Sequence, residues 1–213
     1  QLDFQCPSCN SHQHINHSCG HRSCPQCGQH HNQQWLERQR AKLLPVTYYM
    51  VTFTVPSELR GLALAHPKVL YPILIKSAVE TLQTFTKNDQ QLGGSLGLTA
   101  VLHTHTRELA YHPHVHIVVP AGCLNDKDQW QSKDNRYLFN GRALAKVFSA
   151  KFLTRFKEIG FTVKETLPKQ WIVQCKKVGS GEPALVYLAR YLYRGVVNEK
   201  NLLRLEGDRL TWQ

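Results

Sequence analysis

Twelve histidines and seven cysteines stand in a chain of 213 residues, and their placing is uneven. Cys6, Cys9, Cys19, Cys24 and Cys27 fall within the first 31 residues, and His103, His105, His112, His114 and His116 lie within fourteen residues in mid-chain. Cys6-x-x-Cys9 and Cys24-x-x-Cys27 are two knuckles separated by fourteen residues. Each knuckle lets two thiolates reach one ion, and two knuckles complete a tetrahedral zinc site at about 2.3 Å per sulfur. The segment holds almost no apolar residues, so metal affinity would supply its folding free energy. A closed four-thiolate site leaves no position for substrate, which makes this Zn²⁺ structural. Cys19 is a fifth sulfur: it replaces one of the four or joins a histidine such as His21 in a second site.

The mid-chain histidines carry different chemistry. Alternate residues of a strand share a face, so His114 and His116 point one way and Val115, Ile117 and Val119 the other. In the preceding apolar run, His103 and His105 share a face opposite Leu98, Ala100 and Leu102. A hairpin would bring the two pairs together to chelate one divalent ion. His103 is the first choice for a third ligand, with His105 and Glu108 behind it. Two or three protein ligands leave positions open for water or a phosphate oxygen, as metal-ion catalysis requires.

A third group lies near the carboxy-terminal end, in EPALVYLARYLYR (182–194). At about 100° per residue, Leu185, Leu188 and Leu192 mark one buried stripe of a helix. Tyr187 and Tyr191 lie about 40° apart on another side, and Arg190 and Arg194 flank them at the same spacing. A phenol of pKa about 10 is a weak nucleophile, useful where a metal polarises a phosphate and cations hold its oxygens. Attack would leave a phosphotyrosine that retains the phosphodiester bond energy, so rejoining needs no ATP.

These groups need a scaffold, and the chain is long enough for one ordinary domain with a small appended module. VTYYMVTFTV (46–55), LGLTAVLHTHT (96–106), HPHVHIVVP (112–120) and QWIVQCKKV (170–178) read as strands. Helices are predicted over 33–44, from Leu70 to Phe85, over 141–160 closed by Gly160, and over 182–194. Residues 121–140 read as turns. The pattern predicts an α+β fold, with a zinc-binding module and basic helix over 1–44 and a sheet domain over 45–213.

Lys and Arg outnumber Asp and Glu by 26 to 15, a net charge of +11 that favours a polyanionic partner. No apolar run approaches the roughly 18 residues that cross a bilayer, and no secretory signal opens the chain, so no membrane partner and a cytoplasmic location are expected. The chain opens on Gln1 rather than Met, which points to a trimmed parent. Arg38, Arg40, Lys42, Lys146, Lys151, Arg155, Lys157, Lys176 and Lys177 are candidates for backbone contacts. Trp35, Trp130 and Trp171 could stack on bases, with core packing the better reading for each.

CPSCNSHQHINHSCGHRSCPQC (6–27), LGLTAVLHT (96–104), YHPHVHIVVP (111–120) and YLARYLYR (187–194) together resemble the two-tyrosine HUH transposases of rolling-circle insertion sequences, the IS91 type. The resemblance implies an RRM-like antiparallel sheet with packed helices (the HUH endonuclease fold). It implies that His114 and His116 bind Mg²⁺ or Mn²⁺ at the scissile phosphate, and that Tyr187 and Tyr191 share the strand-transfer steps. It further implies single-stranded DNA at element ends and target as substrate, a 5′-phosphotyrosine with a free 3′-OH as the nicked product, and a bacterial, nucleoid-associated setting. The chain departs from that pattern at His105, where Trp is common, and at PAGC (120–123), where a Gly-rich turn is common. Members of this type continue past the equivalent of Trp212, so a further carboxy-terminal portion is expected.

Two rivals remain. A non-catalytic zinc-containing nucleic-acid-binding module explains the charge and cysteines but not the paired histidines and tyrosines. A water-using metallonuclease explains the histidines and ignores the tyrosines.

Overall fold

A computed structural model describes residues 2–15, 19, 25–106, 108, 110–135, 138–161, 167–192 and 202–212, with the backbone alone at 2, 15, 25, 26, 191, 202, 205, 210 and 212. In chain order the elements are β1 (Leu2–Gln5), β2 (His12–Ile15), α1 (Pro25–Arg40), β3 (Tyr48–Thr54), a 3-10 turn at Ser57–Leu59, α2 (Arg60–Ala65), α3 (Pro67–Asn88), β4 (Thr99–His105) and β5 (Tyr111–Pro120). They continue with β6 (Gly122–Leu124), β7 (Trp130–Ser132), α4 (Gly141–Glu158), β8 (Val173–Lys177), α5 (Glu182–Leu192), β9 (Leu202–Glu206) and β10 (Arg209–Trp212).

The chain divides into two compact units, residues 38–188 and residues 1–37 with 189–213. The larger unit is an antiparallel sheet in the order β4-β5-β3-β8. Its strands are β-branched and aromatic at alternate positions, which suits a pleated surface buried on one side. Tyr49, Val51, Phe53, Val115, Ile117, Val119 and Val173 form that buried side. Leu70, Leu74, Ala78 and Leu82 recur along α3 and Leu144, Phe148, Phe152 and Phe156 along α4, both in the same core. Phe148 sits edge-on to Phe53 at 5.0 Å and to Trp171 at 5.4 Å. Trp171 is thus a core residue, whereas Trp130 is 37% exposed.

Local chemistry sets the ends of α4. The Asn140 side chain accepts from the backbone N–H groups of Arg142 and Ala143, capping its amino terminus. Gly160 stops it at φ +80°, a conformation that costs glycine little. This is the α+β class expected, with helices packed on an antiparallel sheet.

Two elements depart from expectation. Helix α1 begins at Pro25 instead of near residue 33, over a stretch whose Gly28 and polar run give no apolar period. Within the turn-rich 121–140 segment, β6 and β7 form a short hairpin. There the Asn125 side chain accepts from the Lys127 and Gln129 amides, and Asp128 takes φ 57°. In the smaller unit, β1 pairs with β2 and β9 with β10, both antiparallel. The compact units part at 37/38 and again at 188/189. Among the described residues, no helix is long and apolar enough to cross a membrane.

Candidate active site

Strand register assembles the histidines. His103 lies opposite His114, Val101 opposite His116, Thr54 opposite His114 and Thr52 opposite His116. Cross-strand partners share a face, so His103, His114 and His116 emerge opposite the Val115, Ile117 and Phe53 core side. One potential ligand atom from each of the three lies within 4.8 Å of the others. Their ring centroids are 4.6 to 5.2 Å apart. His114 Nδ1 donates to the His112 carbonyl at 2.6 Å, and His116 Nδ1 bonds Thr52 Oγ1 at 2.8 Å. With Nδ1 occupied, Nε2 is the nitrogen that each of these rings offers to a ligand.

Burial holds these rings neutral, which is the protonation state a metal ligand needs. His116 is pushed down to about 3 by burial and then by the neighbouring His103 and His114. His103 falls to about 4 through burial and His114, and burial lowers His114 as well. In the metal-free protein this has a consequence for stability. Unfolded imidazoles bind protons below about pH 6.5, while the folded His103 is held down to about 4 and His116 to about 3. Stability is therefore fully present above pH 6.5 and is lost as pH falls from there toward 4, by on the order of a few kcal/mol. Urea unfolding in EDTA across that window should show the decline, and the double change His103→Gln/His116→Gln should flatten it. An equal slope in the variant would contradict the assignment.

The other third-ligand candidates lie elsewhere. A register shift between His103 and His105 breaks the alternation on which their shared face depended. His105 turns instead to Thr104 Oγ1 and the Tyr111 ring. Glu108 is exposed and outside the cluster.

Helix α5 brings in the first tyrosine. The Tyr187 ring centroid is 5.8 Å from that of His116 and 6.1 Å from that of His103. Leu185 and Leu188 are buried, as the apolar stripe predicts. The entry to the helix requires glycine: Gly181 has φ +81°, and a Cβ there would come within 2.7 Å of the Tyr48 ring. Glu182 in the first turn pairs with Arg40 at 2.7 Å. Tyr191 falls one turn further along α5 with only its backbone described, Arg190 is exposed, and Arg194 lies outside the described residues. Of the basic residues noted in the sequence, Arg40, Arg155 and Lys177 are engaged in ion pairs with Glu182, Glu80 and Asp134.

At the amino-terminal knuckle, Cys6 N–H donates to the Ser11 carbonyl and Asn10 N–H to the Cys6 carbonyl, with Asn10 at φ 55°. These bonds close a turn that folds the chain back on itself between the end of β1 and the start of β2. The Ser8 hydroxyl, with backbone amides and Cys9, draws the Cys6 thiol down to about 6. Cys19 Sγ and Cys27 Sγ stand 3.9 Å apart. Two sulfurs at about 2.3 Å from one tetrahedral ion would be roughly 3.8 Å apart, so that pair fits a shared zinc. Cys24 lies outside the described residues.

Three contributors escaped the sequence reading. Thr52 orients His116 only through cross-strand register, the His112 carbonyl orients His114, and Arg60 Nη2 donates to His112 Nδ1 at 2.7 Å. Thr52 and Arg60 belong to no motif: β3–β5 register brings in the first and the approach of α2 the second.

Comparison with known proteins identifies the family of the chain. Residues 97–213 match a family model, Y2_Tnp, described as "Putative transposase", and residues 1–55 match the IS91 transposase zinc-binding domain. A curated relative from Sinorhizobium fredii, "Putative transposase y4qJ", is 30% identical over 98% of this chain and 58% of its own length. The transposase for insertion sequence element IS801 of Pseudomonas savastanoi pv. phaseolicola is 32% identical over 55% of this chain and 30% of its own. The chain thus spans less than two thirds of either relative. Among solved structures, the conjugative relaxase TrwC in complex with mutant OriT DNA aligns over 58% of this chain and 48% of its own, with 18% identity and a TM-score of 0.45. A metal-bound structure of TrwC with OriT DNA aligns at a TM-score of 0.43, with 19% identity over 52% of this chain and 43% of its own. By the match over more than half its length, joined to the zinc-binding domain at its amino-terminal end, the chain belongs to the two-tyrosine transposases of the IS91 type.

Proposed function

We propose that this chain nicks and rejoins single-stranded DNA through a 5′-phosphotyrosine, as the strand-transfer step of rolling-circle transposition. The observation that carries this reading is the Tyr187 ring lying against His103 and His116 beside three convergent imidazoles. His103, His114 and His116 would hold Mg²⁺ or Mn²⁺, which when bound polarises the scissile phosphate and offsets charge on its oxygens. The donor set fits such an ion: neutral nitrogens, each of two fixed by a hydrogen bond at Nδ1.

The Tyr187 phenolic oxygen attacks phosphorus and its proton passes to solvent. The P–O3′ bond breaks, and the 3′ oxygen leaves as a hydroxyl after taking up a proton. One phosphodiester is exchanged for another, so the step runs in reverse when a second 3′-OH attacks. Tyr191, one helical turn along, would take the second transfer, and Arg190 and Arg194 would hold DNA phosphates. Cys6, Cys9, Cys24 and Cys27, with Cys19 beside Cys27, would bind structural Zn²⁺.

The test is to incubate end-labelled single-stranded DNA from an element terminus with the protein and Mn²⁺, then denature. A labelled band at protein mass is expected. Cleavage without that band would favour hydrolysis by water, and binding without cleavage would favour a non-catalytic module.

The hydrogen bond at His116 gives a subsidiary expectation. Thr52→Val keeps the side-chain shape and removes the Oγ1 partner of His116 Nδ1. Loss of such an orienting bond weakens metal affinity about 10- to 100-fold. Calorimetric titration with Mn²⁺ should read that change, and affinity within two-fold of the parent would contradict it.

A further inference from the structure

Past the end of β3 lies a cavity of about 250 Å³. Val55, Pro56, Pro168, Trp171 and Ile172 wall it, and Thr54, Ser57, Glu58, Arg60 and Gln170 supply its polar groups. Its position is tied to the cluster in two ways: Thr54 lies opposite His114 in register, and Arg60 bonds His112, two residues before His114.

The polar groups narrow the occupant. Arg60 is held by His112, and among the described residues no carboxylate pairs with it. Its Nε is shut from solvent with no partner there. The guanidinium is thus aimed by the His112 ring and retains donors for another acceptor. Glu58 is exposed and, among the described residues, accepts from the adjacent Ser57 hydroxyl at 3.0 Å, retaining acceptor capacity. An apolar-walled pocket with a few converging polar groups is the general form of a site for a flat heterocycle. Guanine offers O6 and N7 acceptors to an arginine, and its N1–H and exocyclic amine are donors suited to a carboxylate.

We infer that this cavity receives an unstacked guanine of the bound single strand, with Arg60 and Glu58 as the residues that select it. The inference rests on the reading of this chain as a single-strand DNA enzyme, and specifies which base that strand carries beside the scissile phosphate. It makes the Arg60–His112 contact a link between base recognition and the histidine that neighbours it.

The test uses the full chain with Mn²⁺ and fluorescein-labelled dT12 strands in which one guanine is stepped through each position. Anisotropy titrations should find one register at which guanine binds at least five-fold tighter than thymine, adenine or cytosine. Hypoxanthine, which lacks the exocyclic amine, should lose part of that preference in the unchanged protein. In Glu58→Gln and in Arg60→Gln the guanine-to-thymine ratio should fall to near one. Equal binding of all strands, a preference for another base, or a guanine preference that survives both changes would overturn the pocket while leaving the strand-nicking reading intact. Failure to bind any strand would overturn both.

Discussion

Tyr187→Phe is expected to lower single-strand nicking by about 10³-fold or more, while single-stranded DNA still binds. The substitution keeps the aromatic ring that lies against His103 and His116 and removes only its oxygen. Packing of α5, which rests on Leu185, Leu188 and the Gly181–Tyr48 approach, is untouched. Loss of a nucleophile removes nearly all chemistry while leaving substrate binding in place, and losses of this size follow such changes elsewhere. The double change Tyr187→Phe/Tyr191→Phe should abolish covalent adduct altogether. Tyr191→Phe alone should spare the first cleavage and block transfer to a second strand. Labelled-strand gels read both steps, and nicking at parental rate in Tyr187→Phe would remove Tyr187 from the role.

His116→Gln should reduce nicking by a comparable factor for a different reason. His116 is the most central of the three imidazoles, 4.6 Å from the His103 ring and 4.8 Å from that of His114. The polarising effect of a metal on a phosphate is worth several kcal/mol, and each 1.36 kcal/mol is about tenfold in rate, which gives about 10³. Gln approximates the volume, so the change in the buried sheet is small. Unfolding midpoint in EDTA at pH 7.5 should stay near the parental value, whereas the Mn²⁺-induced rise in that midpoint should be lost. A variant that nicks normally and still gains stability from Mn²⁺ would contradict the ligand assignment.

Much of this site was legible in residue spacing because strand and helix periods are strict. The alternation His114-Val115-His116 puts two imidazoles on one face and a core valine on the other, as found. Likewise the Leu185–Leu188 stripe set which side of α5 is buried, leaving Tyr187 half-buried and able to face the histidines. What spacing could not supply is register between strands far apart in the chain. Thr52 reaches His116 across 64 residues in this way, and Arg60, at the start of helix α2, reaches His112 across 52 by packing rather than by register. A single irregularity also defeats parity: the shift after His103 sends His105 to Tyr111. The β6–β7 hairpin was hidden because its strands are three residues each and its turn is held by Asn125 rather than by an apolar pattern.

The most direct measurement is to trap the covalent product on a short single-stranded substrate with Mn²⁺, digest it with nuclease and trypsin, and sequence the modified peptide by mass spectrometry. A nucleotide 5′-phosphate attached to Tyr187 is expected, with the attachment absent when EDTA replaces Mn²⁺. Cleaved DNA with no modified tyrosine, or a phosphate carried by a residue away from α5, would contradict the tyrosine–histidine site.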